Sequence, residues 1–182
     1  MQPTMEKRLN REQLAAELLH QHRSFANFVA SLSKERYEHA PAGKWNAGAQ
    51  LDHLYRSVRP LVMAYRLPVW VPGLLFGRTT KGSSAFADIA QRYEAKLKGG
   101  AKATGAYVPK GIPYALRDQA IASLLDSAEK VSGLIRQMPE STLDGYRLPH
   151  PLIGKLTFRE MGYFTIHHVG HHEASLRLLT GL

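Results

Sequence analysis

The sequence predicts an all-α protein, a four-helix bundle, from three observations. Four segments carry apolar residues at the three- and four-residue spacing of an amphipathic helix. No segment shows the clear alternation of apolar and polar residues that indicates a half-buried strand, and no repeat recurs at a fixed period. Because 182 residues is an ordinary length for one domain, we predict a single domain over residues 1–182.

The first two helices are predicted at residues 10–33 and from Asn46 onward. Asn10 and Gln13 have the spacing of a capping box, which begins the first helix. Pro60 is expected to kink or interrupt the second helix. The second helix presents one broad face, made of Ala49, Gln50, His53, Leu54, Ser57, Val58 and Leu61.

A long connection, residues 67–111, separates the second and third helices. Glycines and prolines punctuate it, and one helix is predicted inside it, between Ser84 and Leu97. Connections of this length are usually lids, binding loops or partner contacts. We expect its apolar segment, residues 69–76, to cover a site or to pack against a second subunit.

The third helix is predicted from Pro113 to Met138, and Pro139 ends it. Residues 141–155 are predicted to form a loop. The fourth helix, from about Thr157 to Leu179, begins with a second capping box and is closed by Gly181.

The fourth helix carries four of the nine histidines within six residues. Because a helix turns about every 3.6 residues, the pairs His167/His171 and His168/His172 can each point two imidazoles at one spot. Both helix faces are partly apolar, so periodicity does not choose between the pairs. Two convergent imidazoles are half of a metal site, and a bundle can supply further ligands from facing helices.

The third ligand is predicted to be His53, which lies within the second helix beside apolar residues. His22 on the first helix is the second choice, and His39 and His150 lie in loop-like segments. A lone histidine of this kind is more often a hydrogen-bonded core residue, and a histidine cluster can be a polar face. Taken together, the cluster and His53 favour a metal site.

Composition limits the possible functions. The chain has no cysteine, which excludes disulfides, thiol nucleophiles and cysteine-ligated metals, so a metal needs His, Asp, Glu or backbone oxygen. The formal charge of +9 favours an anionic partner, but the basic residues are dispersed, so nucleic acid is not the favoured partner. The polar N-terminus has no signal-peptide core, and no apolar run spans a membrane, so we expect a cytoplasmic protein without membrane association.

Four motifs follow one another along the chain. They cover about half the chain, chiefly the second and fourth helices. They are Gly43-Lys44-Trp45-Asn46, Leu51-Asp52-His53-Leu54, the stretch Pro149 to Gly154 leading to Leu156-Thr157, and His168-x-x-His171-His172. In this order, the motifs resemble those of the DinB/YfiT-like metalloenzyme family.

The resemblance implies a four-helix bundle that binds a divalent ion, zinc or nickel, through His53, His168 and His172. It thereby selects between the two histidine pairs. The chain departs from the family pattern at two places: the insertion between helices 2 and 3 is longer than in compact members, and Ala174-Ser175 stands where the family often has Gly-Gln. Members that resemble this chain include transferases and isomerases using low-molecular-weight thiols such as mycothiol, bacillithiol or glutathione.

Three functions are consistent with these sequence features. The first is a metal-dependent transferase or isomerase that acts on a small molecule with a thiol, with metal-assisted hydrolysis as the alternative chemistry. The second is a non-catalytic metal-binding protein, and the third is a basic DNA-associated protein, which we rank lowest. An H-E-x-x-H protease is excluded because Val169-Gly170 separates the histidine pairs, and Glu173 and His171 are expected to be surface, boundary or supporting residues. No catalytic residue is assigned, and the apolar segment 69–76 with the habit of the family predicts a homodimer.

Overall fold

The computed structural model describes residues 8–182, and helices dominate this part of the chain. The prediction of an all-α fold is confirmed. Short 3-10 turns occur at Gly105–Tyr107 and Tyr114–Leu116. The elements are α1 (Arg11–Ser31), α2 (Lys34–Glu38), α3 (Ala47–Arg66), α4 (Trp70–Phe76), α5 (Phe86–Lys98), α6 (Arg117–Gln137), α7 (Glu140–Gly145), β1 (Arg147–His150), β2 (Gly154–Thr157) and α8 (Phe158–Thr180).

The four long helices α1, α3, α6 and α8 form the bundle. Both α1 and α3 pack against α6 and α8. The helices bury a common core, in which Leu14, Leu18, Leu51, Leu124 and Phe158 are fully inaccessible to solvent. The apolar periodicity in the sequence thus reflects one shared core, as expected for helices that bury one face each.

Contacts along the helices show how they run. The amide of Leu9 donates to the Tyr163 hydroxyl over 3.1 Å, and Ser24 bonds to Glu173, so α1 and α8 are parallel. Helices α3 and α8 are antiparallel, because the Tyr65 hydroxyl near the end of α3 donates to the Phe158 carbonyl at the start of α8 over 2.6 Å.

The relative directions of α3 and α6 explain the long connection between these two helices. The Ser132 hydroxyl donates to the Ala15 carbonyl, and Arg23 pairs with Glu129, so α1 and α6 are antiparallel. Because α3 is antiparallel to α8, helices α3 and α6 run in the same direction. The chain between them must therefore return along the length of the bundle, and residues 67–116 do so.

Helix boundaries follow the capping signals. Asn10 and Gln13 form the predicted capping box of α1, and the Asn46 side chain accepts from the Ala49 amide at the start of α3. Gly181 ends α8 in a left-handed conformation, with φ of 68°. Of the two outcomes predicted at Pro60, the interruption is wrong, because α3 runs continuously through this residue, and the kink stays a prediction.

The connection contains two helices. The predicted helix is confirmed as α5, which packs against α8 through the buried Phe86, Ile89 and Tyr93. The apolar segment 69–76 forms α4, whose Trp70 and Leu74 are 66% and 80% exposed. That this connection is longer than in compact family members stays a prediction. No helix among the described residues has the length and apolarity needed to cross a membrane.

The prediction of a loop over residues 141–155 is wrong. The structure places α7 and an antiparallel β1–β2 hairpin there, with Arg147 opposite Thr157 and His150 opposite Gly154. Strands of four residues are too short to show a clear alternation, and Pro149 inside β1 argues against a strand. The hairpin is fixed to the core by the facing pair Leu148 and Leu156, which are 3% and 0% exposed.

A buried arginine anchors the start of α8. The Arg159 side chain is completely buried, donates to Asp144 over 2.7 Å and to the Leu9 carbonyl over 2.7 Å, and also pairs with Glu140. Burial alone would raise the pKa of Asp144, but hydrogen bonds from Arg159 and Ser83 outweigh it and hold that pKa below its usual value. Arg159 thus joins α8, α7 and Leu9, which lies two residues before α1.

Candidate metal centre

Three buried histidines converge between α3 and α8. The Nε2 atom of His168 lies 3.1 Å from Nε2 of His53 and 3.1 Å from Nε2 of His172. One ring nitrogen from each residue lies within 4.8 Å of the other two. The structure thus brings together the three residues named from the sequence, across 115 positions of the chain.

His53 is oriented by the segment that follows α5. Its Nδ1 lies 2.7 Å from the backbone carbonyl of Tyr107. A carbonyl oxygen can only accept, so Nδ1 carries the proton and donates it. The Nε2 atom of His53 therefore presents its lone pair to the other two rings.

His172 is oriented in the same way by a side chain of α3. Its Nδ1 lies 2.8 Å from Oε1 of Gln50, while the amide nitrogen of Gln50 donates to the Trp45 carbonyl over 3.0 Å. The Trp45 carbonyl fixes which way the Gln50 amide points, so its oxygen must face His172. Nδ1 of His172 is consequently the donor, and its Nε2 also presents a lone pair.

The resulting arrangement suits a cation. Two lone pairs point at Nε2 of His168, which can supply a proton to only one of them. Around a tetrahedral zinc ion with bonds of about 2.0–2.1 Å, neighbouring nitrogens lie on the order of 3.3 Å apart, close to the spacing of these rings. Neutral imidazoles with the second ring nitrogen hydrogen-bonded are the usual form of histidine ligands. The residues present fit a divalent metal ion.

Burial keeps the three imidazoles neutral. It lowers the pKa of His53, although the Tyr107 carbonyl and the Asp52 charge act in the opposite direction. It holds the pKa of His168 and of His172 well below 6.5, and the neighbouring histidines reinforce this effect. Metal ligation needs the neutral ring, so the site is prepared for it at neutral pH.

A covering segment, residues 101–112, crosses α3 above the site. The Asp52 carboxylate accepts from the amides of Lys110 and Gly111 over 2.6 and 3.2 Å. At Gly48 the two backbones meet so closely that a Cβ atom would lie 2.3 Å from the Ile112 carbonyl oxygen. This close approach and the Asp52 bonds hold the covering segment where Tyr107 can reach His53.

The three histidines form part of the wall of a cavity of about 480 Å³. Such a volume is within the range of small-molecule sites. Much of the remaining wall is apolar, including Leu54, Val58, Met161 and Phe164, and residues of the covering segment contribute to it. Of the described residues that line the cavity, none is an aspartate or a glutamate.

The other histidines of α8 form a separate pair. Nε2 of His167 lies 3.1 Å from Oε1 of Glu94, and Nδ1 of His171 lies 3.7 Å from the same oxygen. Burial lowers the pKa of His167, against the effect of Glu94. Glu173 is paired with Arg177 and bonds to Ser24, outside the group of three.

The remaining sequence candidates also lie outside the group of three. His22, the second choice, is buried on α1 with Nδ1 donating to the Leu18 carbonyl over 2.7 Å. His39 is exposed at the end of α2.

Two residues near the site were given no role from the sequence. Gln50 was placed on the correct helix face, and its position three residues before His53 was the available signal. His150, assigned to a loop, is buried at the end of β1 and lines the same cavity. The motif Pro149 to Gly154 was the available signal for His150. This motif is distant from His53 in the sequence, so its position beside the site could not be predicted.

A family model described as the DinB superfamily matches residues 17–175 of the chain. The match runs from within α1 through most of α8 and includes His53, His168 and His172. No curated protein and no solved structure matches the chain.

Proposed function

The chain belongs to the DinB superfamily, and we propose that it is a divalent-metal-dependent enzyme acting on a small molecule. His53, His168 and His172 are the proposed ligands. The observation that carries this proposal is the fixed orientation of two imidazoles, whose Nε2 lone pairs meet the third ring at 3.1 Å in the wall of a cavity.

The proposed chemistry is a thiol-dependent transfer or isomerisation, with zinc or nickel as the metal and a low-molecular-weight thiol as co-substrate. A bound divalent ion would supply Lewis acidity and would lower the pKa of a coordinated thiol or water. The Tyr107 carbonyl and Gln50 orient the ligands, and the apolar residues of the wall would contact the apolar part of a substrate.

Metal-assisted hydrolysis is the second candidate, because the same cavity would admit water to the same ligands. Comparing turnover of candidate substrates with and without added thiol separates the two reactions. An enzyme is favoured over a purely structural site because the group of candidate ligands in the described residues contains three members, and a closed structural zinc site has four.

Elemental analysis of the purified protein tests the ligands. We expect about one divalent ion per chain in the parent protein and loss of it in His53→Ala, His168→Ala and His172→Ala. His39→Ala is the matched control, since His39 is exposed and outside the site, and it is expected to keep the metal. Full occupancy in all three ligand variants would refute the proposal.

We also propose that the protein is a cytoplasmic homodimer whose interface includes α4. The support for the dimer is the exposure of Trp70, Leu74 and Leu75 on this helix, at 66%, 80% and 61%. Light scattering after size-exclusion chromatography is expected to give twice the mass of one chain, and Leu74→Lys to give the monomer. A monomeric parent protein would contradict this proposal.

A further inference from the structure

Two polar rings of the cavity have no part in orienting the proposed ligands. His150 at the end of β1 and Tyr93 on α5 both pack against Phe164, with ring centroids 4.1 and 5.1 Å from it. Phe164 in turn stacks on His168 at 5.0 Å, and Tyr93 lies 5.7 Å from His168. Phe164 thus holds two polar side chains beside the central histidine of the group.

His150 has the opposite tautomer from His53 and His172. Its Nδ1 accepts from the amides of Leu152 and Ile153, each over 3.2 Å. An atom that accepts two amide hydrogens carries no proton, so the proton of the neutral ring is on Nε2. Because Nδ1 is turned to the hairpin and the ring lines the cavity, the edge with Nε2–H is left to face the cavity. His150 is thereby a donor and not a metal ligand.

Tyr93 supplies a second donor on the same wall. Its side chain is 5% exposed and lines the cavity, and its hydroxyl has no hydrogen bond to any other described residue. A buried phenol normally finds a partner. Tyr93 packs on Phe164 and on the rings of His167, His168 and His171, and its hydroxyl bonds to none of them, so this hydroxyl is available to a ligand in the cavity.

The charge around the cavity indicates which ligand these donors suit. The acid-free lining includes Lys44 and Lys102, both exposed residues, together with the histidines. Two donors at the inner wall, lysines at exposed positions and no carboxylate favour an anion over a cation. The apolar remainder of the wall favours a hydrophobic body on the same molecule.

We propose that His150 and Tyr93 bind the acid group of the substrate, a carboxylate carried by an otherwise apolar small molecule, and place it beside His168. This proposal rests on the proposed function, which identifies the cavity as the substrate site. It assigns to β1 and α5, elements outside the four-helix bundle, the recognition of the substrate.

Two conservative variants withdraw these donors from the cavity wall. His150→Asn keeps an oxygen that can accept from the Leu152 and Ile153 amides, as asparagine does in turns, but withdraws the Nε2–H group. Tyr93→Phe removes only the hydroxyl. His39→Asn, at an exposed position, is the matched control.

Binding is measured with benzoate as the probe and with its neutral analogue benzamide for comparison. The chain has two tryptophans, and Trp45 lies with its ring 5.0 Å from that of His53 and lines the cavity. In a Trp70→Phe background, Trp45 fluorescence therefore reports binding in the cavity alone. We expect benzoate to bind more tightly than benzamide, and each donor variant to weaken benzoate about tenfold with little effect on benzamide. The control variant should match the parent protein.

The titrations are made on zinc-loaded and on metal-free protein, with the metal content measured on each sample. Equal benzoate affinity in the parent protein and both donor variants would overturn this inference, as would equal affinity for benzoate and benzamide in the parent protein. Failure of the parent protein to take up either zinc or nickel would instead refute the proposed function. The metal-free titrations would still decide whether His150 and Tyr93 bind the carboxylate.

Discussion

His22 makes the stability of this fold depend on pH. It is 1% exposed in α1, its Nδ1 donates to the Leu18 carbonyl, and its buried Nε2 has no hydrogen-bond partner in the structure. Burial lowers its pKa from 6.5 to about 4, although the Leu18 bond acts in the opposite direction. Protonation therefore favours the unfolded chain.

The size of this effect on the free energy of unfolding follows from the pKa of His22 in the unfolded chain and in the folded protein. The contribution of His22 to the free energy of unfolding is complete above pH 6.5 and is lost as the pH falls from 6.5 towards 4. The gap between 6.5 and about 4 corresponds to roughly 3 kcal/mol in total and about 2 kcal/mol at pH 5. Below pH 4 both states bind the proton and the loss levels off.

Urea unfolding at several pH values between 7.5 and 4.5 measures this effect, in EDTA so that metal release does not contribute. Between pH 7.5 and pH 5 the parent protein should lose about 2 kcal/mol more stability than His22→Leu, which cannot titrate. His20→Leu, at an exposed position on the same helix, is the control and should follow the parent protein.

The comparison uses the difference between two pH profiles, so any constant change in stability caused by the leucine cancels. Other buried histidines titrate in both proteins and cancel as well. If the profiles of the parent protein and His22→Leu run parallel from pH 7.5 to 4.5, the ring of His22 is not buried in the neutral form and the reasoning is refuted.

Two further substitutions test the supports of the site and the fold. Gln50→Leu removes the oxygen that orients His172 and is expected to weaken metal affinity by about 10- to 100-fold, measured by competition with a chelating dye; unchanged affinity would contradict the role of Gln50. Arg159→Met leaves the carboxylates of its ion pairs without their partner and should lower the free energy of unfolding by about 3–5 kcal/mol in urea. Arg23→Met, which breaks an exposed ion pair, should change it by less than about 1 kcal/mol, and equal effects of the two arginine variants would refute the argument from burial.

The sequence was sufficient to predict the bundle because its determinants are local. The capping boxes at Asn10 and Thr157 and the glycine at position 181 fix helix ends through contacts within a few residues. The apolar spacing of α1, α3, α6 and α8 reports which face each helix buries. Neither signal depends on how the helices are arranged in space.

The hairpin and the details of the site depend on contacts between distant segments. Strand β1 is stabilised by its register with β2 and by the burial of Leu148, which four residues of sequence do not reveal. The three histidines could be named only with the help of a family resemblance, because periodicity left two pairs on α8 equally acceptable. The tautomer of each ring could not be predicted from the sequence, since a partner such as the Tyr107 carbonyl lies 54 positions from His53.

The covering segment has a consequence for how the site would work. Asp52 and His53 are neighbours on α3, and each bonds the covering segment, through the Lys110 and Gly111 amides and the Tyr107 carbonyl. A movement that lifts this segment to admit a large molecule must release the His53 ring at the same time. Opening of the cavity and affinity for a bound metal would therefore be reciprocally linked, because both depend on the position of the covering segment. Access to the cavity and binding of the metal would then depend on a single conformational equilibrium, which the three backbone groups of the covering segment control.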